Sequence, residues 1–158
     1  MEILEVKKSL EKLLKLAGFG DFNTEVQEDS QVKVVRFLIK SDFPKESSGL
    51  LIGQGGENLF ALEYILRAMA ERYLPDPSWR VSLDINNYLA IREEKLREFA
   101  RKIAHQVALS KKAVELPPMR PRDRRIIHLE LSFSTSVATE SIGEGKERRI
   151  VIKPLLEE

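Results

Sequence analysis

Residues 50–73, LLIGQGGENLFALEYILRAMAERY, constrain the fold of this chain more than any other segment. Their second part has apolar residues three and four apart, which predicts a helix with one buried face over residues 57–74. A cluster of glycines at residues 53–56 precedes this helix. Glycines at a helix start let another molecule approach the free N–H groups of the first turn, where phosphate is a favoured ligand.

Three phosphate-binding motifs begin with glycine, and the sequence excludes two of them. A P-loop needs Lys and then Ser or Thr after its last glycine, whereas Glu57 and Asn58 follow here. The dinucleotide fingerprint G-x-G-x-x-G needs a glycine at position 58, where this chain has Asn58. The remaining motif is G-x-x-G between two helices, with which KH domains clamp a nucleic-acid backbone. A helix cap without a ligand is the alternative, and these four residues leave it open.

Composition and charge narrow the class of protein. The 158 residues are 42% hydrophobic and lack cysteine, which predicts a packed, cytoplasmic protein without disulfides, iron–sulfur clusters or thiolate zinc sites. We expect neither a signal peptide nor a membrane span. Residues 92–128 hold eleven Lys or Arg and five Asp or Glu, a net charge of +6 hidden in a total of +1. This asymmetry favours a surface that faces a polyanion, with a merely solvated face as the alternative.

The pattern of elements predicts an α+β fold in three parts. Residues 1–86 read as a KH-type domain with a three-stranded sheet and helices, and residues 87–113 as a long connecting helix. Residues 114–158 form a small second α+β module. The predicted elements are helices 2–17, 49–52, 57–74, 88–113 and 120–132, strands 23–28, 32–40, 79–85, 114–116, 137–143 and 148–153, and a loop at 41–48.

Arg124 and His128 are four residues apart and therefore share one face of the helix 120–132. Arginine binds phosphate with a planar fork, and a neighbouring imidazole can donate to phosphate or stack on a base. The alternative is a structural His128, with Arg124 paired to Asp123 or Glu115.

The segment LPPMRPRDRRIIHLEL, followed by VATESIGEGKERRIVIKP, resembles the R-3-H domain, which is named for an arginine and a histidine separated by three residues. With the upstream G-x-x-G, the layout resembles the bacterial Jag family, which joins a KH and an R-3-H domain. The resemblance implies a cytoplasmic RNA-binding protein without catalytic activity or cofactor, linked to post-transcriptional control of cell elongation and division. It also implies self-association or a small single-KH partner. Many relatives carry an additional N-terminal domain that these residues lack, and many KH loops have a basic residue where Gln54 and Gly55 stand.

We therefore predict an interface for single-stranded RNA, with single-stranded DNA as the alternative strand. Its predicted residues are Gly53, Gln54, Gly55, Gly56, Asn58, Arg120, Arg122, Arg124, Arg125, His128, Arg148 and Arg149. Two other functions stay open at this point. One is a protein-interaction module that dimerises through the KH fold, and the other is a nuclease that uses His128 as acid or base. The absence of a second histidine nearby and of an acidic metal cluster in the sequence argues against the nuclease.

Overall fold

A computed structural model describes residues 2–41 and 45–155 of the chain. It divides into two compact units, Met1–Leu89 and Ala90–Glu158. Both units combine helices with a three-stranded sheet, so the predicted α+β fold class is confirmed.

The first unit alternates helices and strands in the predicted order. Its elements are α1 (Glu2–Leu16), β1 (Asn23–Asp29), β2 (Val34–Lys40), α2 (Lys45–Ile52), α3 (Glu57–Ala70) and β3 (Arg80–Ile85), with 3-10 turns at Gln54–Gly56 and Glu71–Tyr73. β2 is the central strand, antiparallel to β1 and parallel to β3. The parallel pair requires a crossover connection, which α2 and α3 supply.

Alternation along the strands of the first unit places its core on one face of the sheet. In β2 the buried side chains are Val35, Phe37 and Ile39, and the residues of β3 opposite them are buried as well. α1 and α3 cover this face with the apolar stripes that their spacing predicts. Those stripes contribute Val6, Leu10, Leu14, Leu59, Leu66 and Ala70 to the core.

Two boundaries of the first unit differ from the prediction by more than two residues. The second half of the predicted loop 41–48 is helical from Lys45 onward, because its Lys, Glu and Ser residues are all tolerated in a helix. Asp42, Phe43 and Pro44 lie outside the described residues. The helix predicted to reach Leu74 ends at Ala70 and tightens into one 3-10 turn. Leu74 is already extended, as expected for a residue before proline.

The second unit contains one long helix, one short helix and a small sheet. Its elements are α4 (Tyr88–Ser110, which begins at the end of the first unit), β4 (Val114–Glu115), α5 (Pro121–Leu131), β5 (Val137–Ile142) and β6 (Arg149–Pro154). β6 is the central strand and is antiparallel to both neighbours. Pro121 occupies the first turn of α5, where the lack of its N–H leaves no helical hydrogen bond unmade.

α4 takes part in the core of the second unit. Its Ala100 and Val107 are buried together with Ile127 of α5 and with Ile150 and Ile152 of β6. The sequence pattern indicates a separate connector over residues 87–113, but this packing makes most of α4 a structural part of the second unit. The helix ends at Ser110, three residues earlier than predicted, and Lys111 has a φ of 56°, which a helix cannot continue. Among the described residues, no helix is both long enough and apolar enough to span a membrane.

Candidate functional site

A cleft of about 510 Å³ lies between α5 and β5 in the second unit. α5 provides one wall with side chains at spacings of three and four residues, and β5 provides the other with two residues that alternate along the strand. The lining residues are Pro121, Arg124, Arg125, His128, Leu129, Ser132, Thr139 and Ser141. Three of the predicted site residues, Arg124, Arg125 and His128, therefore meet in one cleft.

His128 is hydrogen-bonded at both ring nitrogens. Nδ1 lies 2.7 Å from Oγ1 of Thr139, and Nε2 lies 3.0 Å from Oγ of Ser141. Burial lowers the pKa of His128 below its ordinary value of 6.5, and the positive charge of Arg124 lowers it further. The ring is therefore mostly neutral at pH 7, with one nitrogen donating and the other accepting. Because a hydroxyl can donate or accept, His128 fixes both hydroxyls on the wall of the cleft.

The two arginines of the cleft differ in their freedom. The guanidinium of Arg124 donates to the carbonyl oxygen of Met119 at 2.8 Å, which holds this half-buried side chain in place. Arg125 is exposed and makes no ion pair with any residue that the structure describes. The cleft therefore presents one anchored and one unpaired guanidinium beside the two fixed hydroxyls.

Neither ion pair of the alternative interpretation of Arg124 forms. Asp123 is buried and accepts from Arg92 at 2.7 Å instead. Glu115 accepts from Arg149 at 2.8 Å. The charge of Arg124 is thus not cancelled by either carboxylate that the sequence offered.

The other predicted arginines of this unit do not line the cleft. Arg120 precedes α5 in an extended conformation, and Arg122 is exposed on its first turn. Arg148 is exposed at the start of the hairpin's second arm, whereas Arg149 is held by Glu115 and by the carbonyl oxygen of Glu147.

Part of the positive charge in residues 92–128 is paired with carboxylates of the second unit. Glu130 of α5 accepts from Arg97 at 3.1 Å and from Arg101 at 2.6 Å. The same two arginines also pair with Glu93 and Glu94 of α4. Arg125 is one of the cations of this segment that the ion pairs of the second unit leave available.

The glycine loop of the first unit has a backbone that side chains would disturb. Gly53, Gly55 and Gly56 have φ angles of 75°, 61° and 84°. A Cβ on Gly53 would lie 2.7 Å from Cγ of Asn58, and one on Gly56 would lie 2.9 Å from the ring of Phe60. The loop thus needs glycine for its own conformation.

The remaining predicted residues of this loop have different environments. Gln54 and Gly55 are exposed at its tip. Asn58 donates from Nδ2 to the carbonyl oxygen of Leu50 at 2.7 Å, which satisfies a carbonyl near the end of α2. Its amide therefore ties α3 to α2.

Comparison with known proteins identifies the second unit. Residues 94–154 match the family model of the R-3-H domain. The second unit is therefore similar to an R-3-H domain. The matched segment contains α5, β5 and β6, and with them the cleft around His128.

Similar proteins extend the match beyond the R-3-H domain. The chain is 38% identical over 135 residues to RNA-binding protein KhpB of Bacillus subtilis (strain 168), covering 84% of this chain and 62% of the relative. It is 38% identical over 107 residues to RNA-binding protein KhpB of Clostridium symbiosum, covering 68% of this chain and 48% of the relative. The chain thus spans less than two thirds of the length of these relatives. They confirm the predicted resemblance to the bacterial Jag family.

The hydroxyl wall of the R-3-H cleft was not predicted from the sequence. Thr139 and Ser141 are two residues apart on β5, so they share one face of the strand. That alternation is a readable signal, but only the fold shows that this face is turned toward His128. Leu129 also lines the cleft and is 56% exposed, and it was not among the predicted site residues. In the described part of the chain, no group of three or more His, Cys, Asp or Glu side chains could hold a metal ion.

Proposed function

We propose that this protein binds single-stranded RNA through the cleft of its R-3-H domain. The observation that carries the proposal is the meeting of Arg124, Arg125 and two fixed hydroxyls in one open cleft. Guanidinium groups are donors suited to phosphate oxygens, and so is the one hydroxyl whose proton the neutral His128 ring does not accept. Single strands are bound largely through their phosphates. The two relatives are named as RNA-binding proteins, which supports the same ligand.

The glycine loop of the KH-type unit is the second proposed contact. Its exposed tip, Gln54 and Gly55, has no bulky side chain that would keep a phosphate from the backbone. A KH loop of this type clamps about four nucleotides. We propose that the two units bind one strand together, which would explain why one chain carries both.

The proposed function is non-enzymatic. Both ring nitrogens of His128 are engaged by hydroxyls, so the imidazole is a positioning group in the cleft. We propose that the protein is cytoplasmic and takes part in post-transcriptional control of cell elongation and division. A small single-KH protein or a second copy of the chain is the proposed protein partner.

The test of the R-3-H cleft is fluorescence anisotropy with a labelled, unstructured RNA of about 16 nucleotides, the upper end of common single-strand site sizes. Arg125→Ala should weaken binding about tenfold or more, since a hydrogen bond to a charged group is worth about 1.5–3 kcal/mol. Lys102→Ala is the matched control, because it removes one exposed positive charge from α4 outside the cleft. Equal affinities of the two variants would refute the cleft as the RNA site.

The test of the glycine loop uses two double variants. Gln54→Asp with Gly55→Asp places two carboxylates where the phosphate should lie, and we expect weaker binding in a folded protein. Gln54→Asn with Gly55→Asn changes the same positions without charge, and both Asp and Asn tolerate the positive φ at Gly55. If both double variants bind RNA like the wild type, the loop is only structural.

The non-enzymatic assignment is tested with labelled RNA incubated with and without magnesium. We expect intact RNA in both cases. Cleavage by the wild type that His128→Ala abolishes would overturn the assignment.

A further inference from the structure

Phe133 is the most exposed large hydrophobic side chain in the described part of the chain, with 95% of its surface accessible. It follows Ser132, which lines the R-3-H cleft, and stands just beyond the end of α5. A phenyl ring fully in water gains nothing from the hydrophobic effect, and beside the cleft it is accessible to a ligand.

The chain tightens into a 3-10-type turn at the end of α5. Ser132 N–H donates to the carbonyl oxygen of Leu129 at 3.4 Å, and Ser134 N–H donates to that of Leu131 at 3.1 Å. Each of these bonds spans three residues, which is the pattern of a 3-10 turn. Phe133 lies within this turn, directly after Ser132, which lines the cleft.

Arg125 and Leu129 line the cleft from α5, and Phe133 follows the last of the cleft residues on this segment, Ser132. We call these three side chains the cation–aromatic stripe. It begins with an unpaired guanidinium, continues with a leucine that is 56% exposed and ends with the exposed ring. The combination matches one ligand chemistry, an anion joined to a flat apolar group, which is the composition of a nucleotide.

We propose that Phe133, assisted by Leu129, is a stacking platform for an unpaired nucleobase whose phosphate is bound at Arg125. This inference rests on the proposed RNA-binding function and adds the part of the ligand that the polar residues of the cleft do not contact. A base in a duplex is covered on both faces by its neighbours and cannot stack on a side chain without being flipped out. The platform therefore selects single-stranded over double-stranded RNA. It tolerates different sequences, because every base has a π-face.

The unpaired cation decides between a nucleic acid and a protein as the occupant. An apolar protein surface would gain from Phe133 and Leu129 alone and would leave Arg125 without an anion. A single strand satisfies all three side chains at once, since phosphates and bases alternate along it.

The test compares three substitutions of the ring with an unstructured oligouridine as the probe. Phe133→Ala should weaken binding about 5- to 150-fold, the range that base–aromatic stacking spans. Phe133→Tyr keeps the π-face and should retain affinity, whereas Phe133→Leu keeps apolar area without a π-face and should resemble Phe133→Ala. Leu109→Ala is the matched control, since this residue is 72% exposed on α4 outside the cleft.

A second probe isolates the base. An abasic ribose-phosphate strand of the same length should bind the wild type and Phe133→Ala equally, because it has phosphates but nothing to stack. Loss of affinity for both probes in Phe133→Ala would overturn the stacking role.

The outcomes separate this inference from the proposed function. If Arg125→Ala weakens binding of oligouridine and Phe133→Ala does not, RNA binding stands and the platform is wrong. If the wild type binds no RNA, the proposed function itself fails. If Phe133→Ala leaves RNA affinity unchanged but reduces self-association in analytical ultracentrifugation, the stripe is a protein interface and the inference is overturned.

Discussion

Substitution of Gly53 by alanine should destabilise the first unit more than alanine at two other glycines of the same unit. Gly53 combines a φ of 75° with a ψ of 171°, a region that is essentially restricted to glycine. Gly18 has a φ of 86° but open space around its missing Cβ. Gly49 lies in α2 with neither a positive φ nor a close neighbour. The three positions separate conformational strain from steric overlap.

The structure sets the expected magnitudes. At Gly53 the backbone strain costs about 1–3 kcal/mol. The new methyl group would also lie 2.7 Å from Cγ and 2.8 Å from the backbone nitrogen of Asn58, and such overlap adds about 1–3 kcal/mol. The sum is a substantial part of a typical stability of about 5–15 kcal/mol. Gly18→Ala should cost only the conformational term, about 1–2 kcal/mol, and Gly49→Ala should stabilise by about 0.5–1 kcal/mol.

The assay is urea unfolding followed by the fluorescence of Trp79. This is the only tryptophan of the chain, and it packs against the core of the first unit, so its signal reports on that unit. With a slope of about 1–3 kcal/mol per molar urea, Gly53→Ala should lower the midpoint by about 1 M or more. Gly49→Ala should raise the midpoint slightly, and Gly18→Ala should lie between the two. If the midpoint of Gly53→Ala equals that of Gly49→Ala, the loop does not have the conformation described above.

Three further predictions concern the ligand and the R-3-H cleft. The slope of log RNA affinity against log salt concentration should be about −0.7 per neutralised phosphate. Arg125→Ala should make this slope less steep by about one phosphate contact, whereas Lys102→Ala should not. Equal slopes for the two variants would contradict RNA binding in the cleft. Because the pKa of His128 is lowered, the unfolded chain binds a proton that the folded chain does not, so stability should fall as the pH drops below about 6.5. Urea titrations at several pH values, followed by circular dichroism so that the second unit is observed, should show less of this fall in His128→Gln. Identical profiles would refute the burial of the ring. An RNA of about four nucleotides should bind weakly, whereas a longer strand should bind up to ~10²–10⁴-fold more tightly if both units engage it. Anisotropy with RNAs of increasing length checks this, and affinity independent of length would show that the units act separately.

Local sequence patterns were sufficient for most elements of the fold. The apolar spacing in α3 and the alternation in β2 each record which face is buried, and those faces are buried in the structure. The Arg124–His128 spacing likewise placed both side chains on one face of α5, where they line one cleft.

Partner choice across the fold could not be predicted from local patterns. The sequence offered Asp123 and Glu115 to Arg124, but both are taken by other arginines that are distant in the chain. The guanidinium of Arg124 instead donates to the backbone carbonyl oxygen of Met119. No sequence pattern predicts a hydrogen bond to a particular backbone carbonyl.

The place of α4 shows a related limit. A charged face and an apolar stripe fit a docked connector as well as a core helix. What decides is the burial of Ala100 and Val107 against elements that come later in the chain. Segment length and charge alone therefore suggested a spacer where the structure has part of a domain.

The most direct test of RNA binding in the cleft is an NMR titration of the isotope-labelled full chain with single-stranded RNA. We predict that the largest shifts fall on the cleft residues Arg125, His128, Thr139 and Ser141, and on the ring of Phe133. Shifts confined to other surfaces, with the signals of these five residues unchanged at saturation, would contradict the claim that the R-3-H cleft holds the RNA.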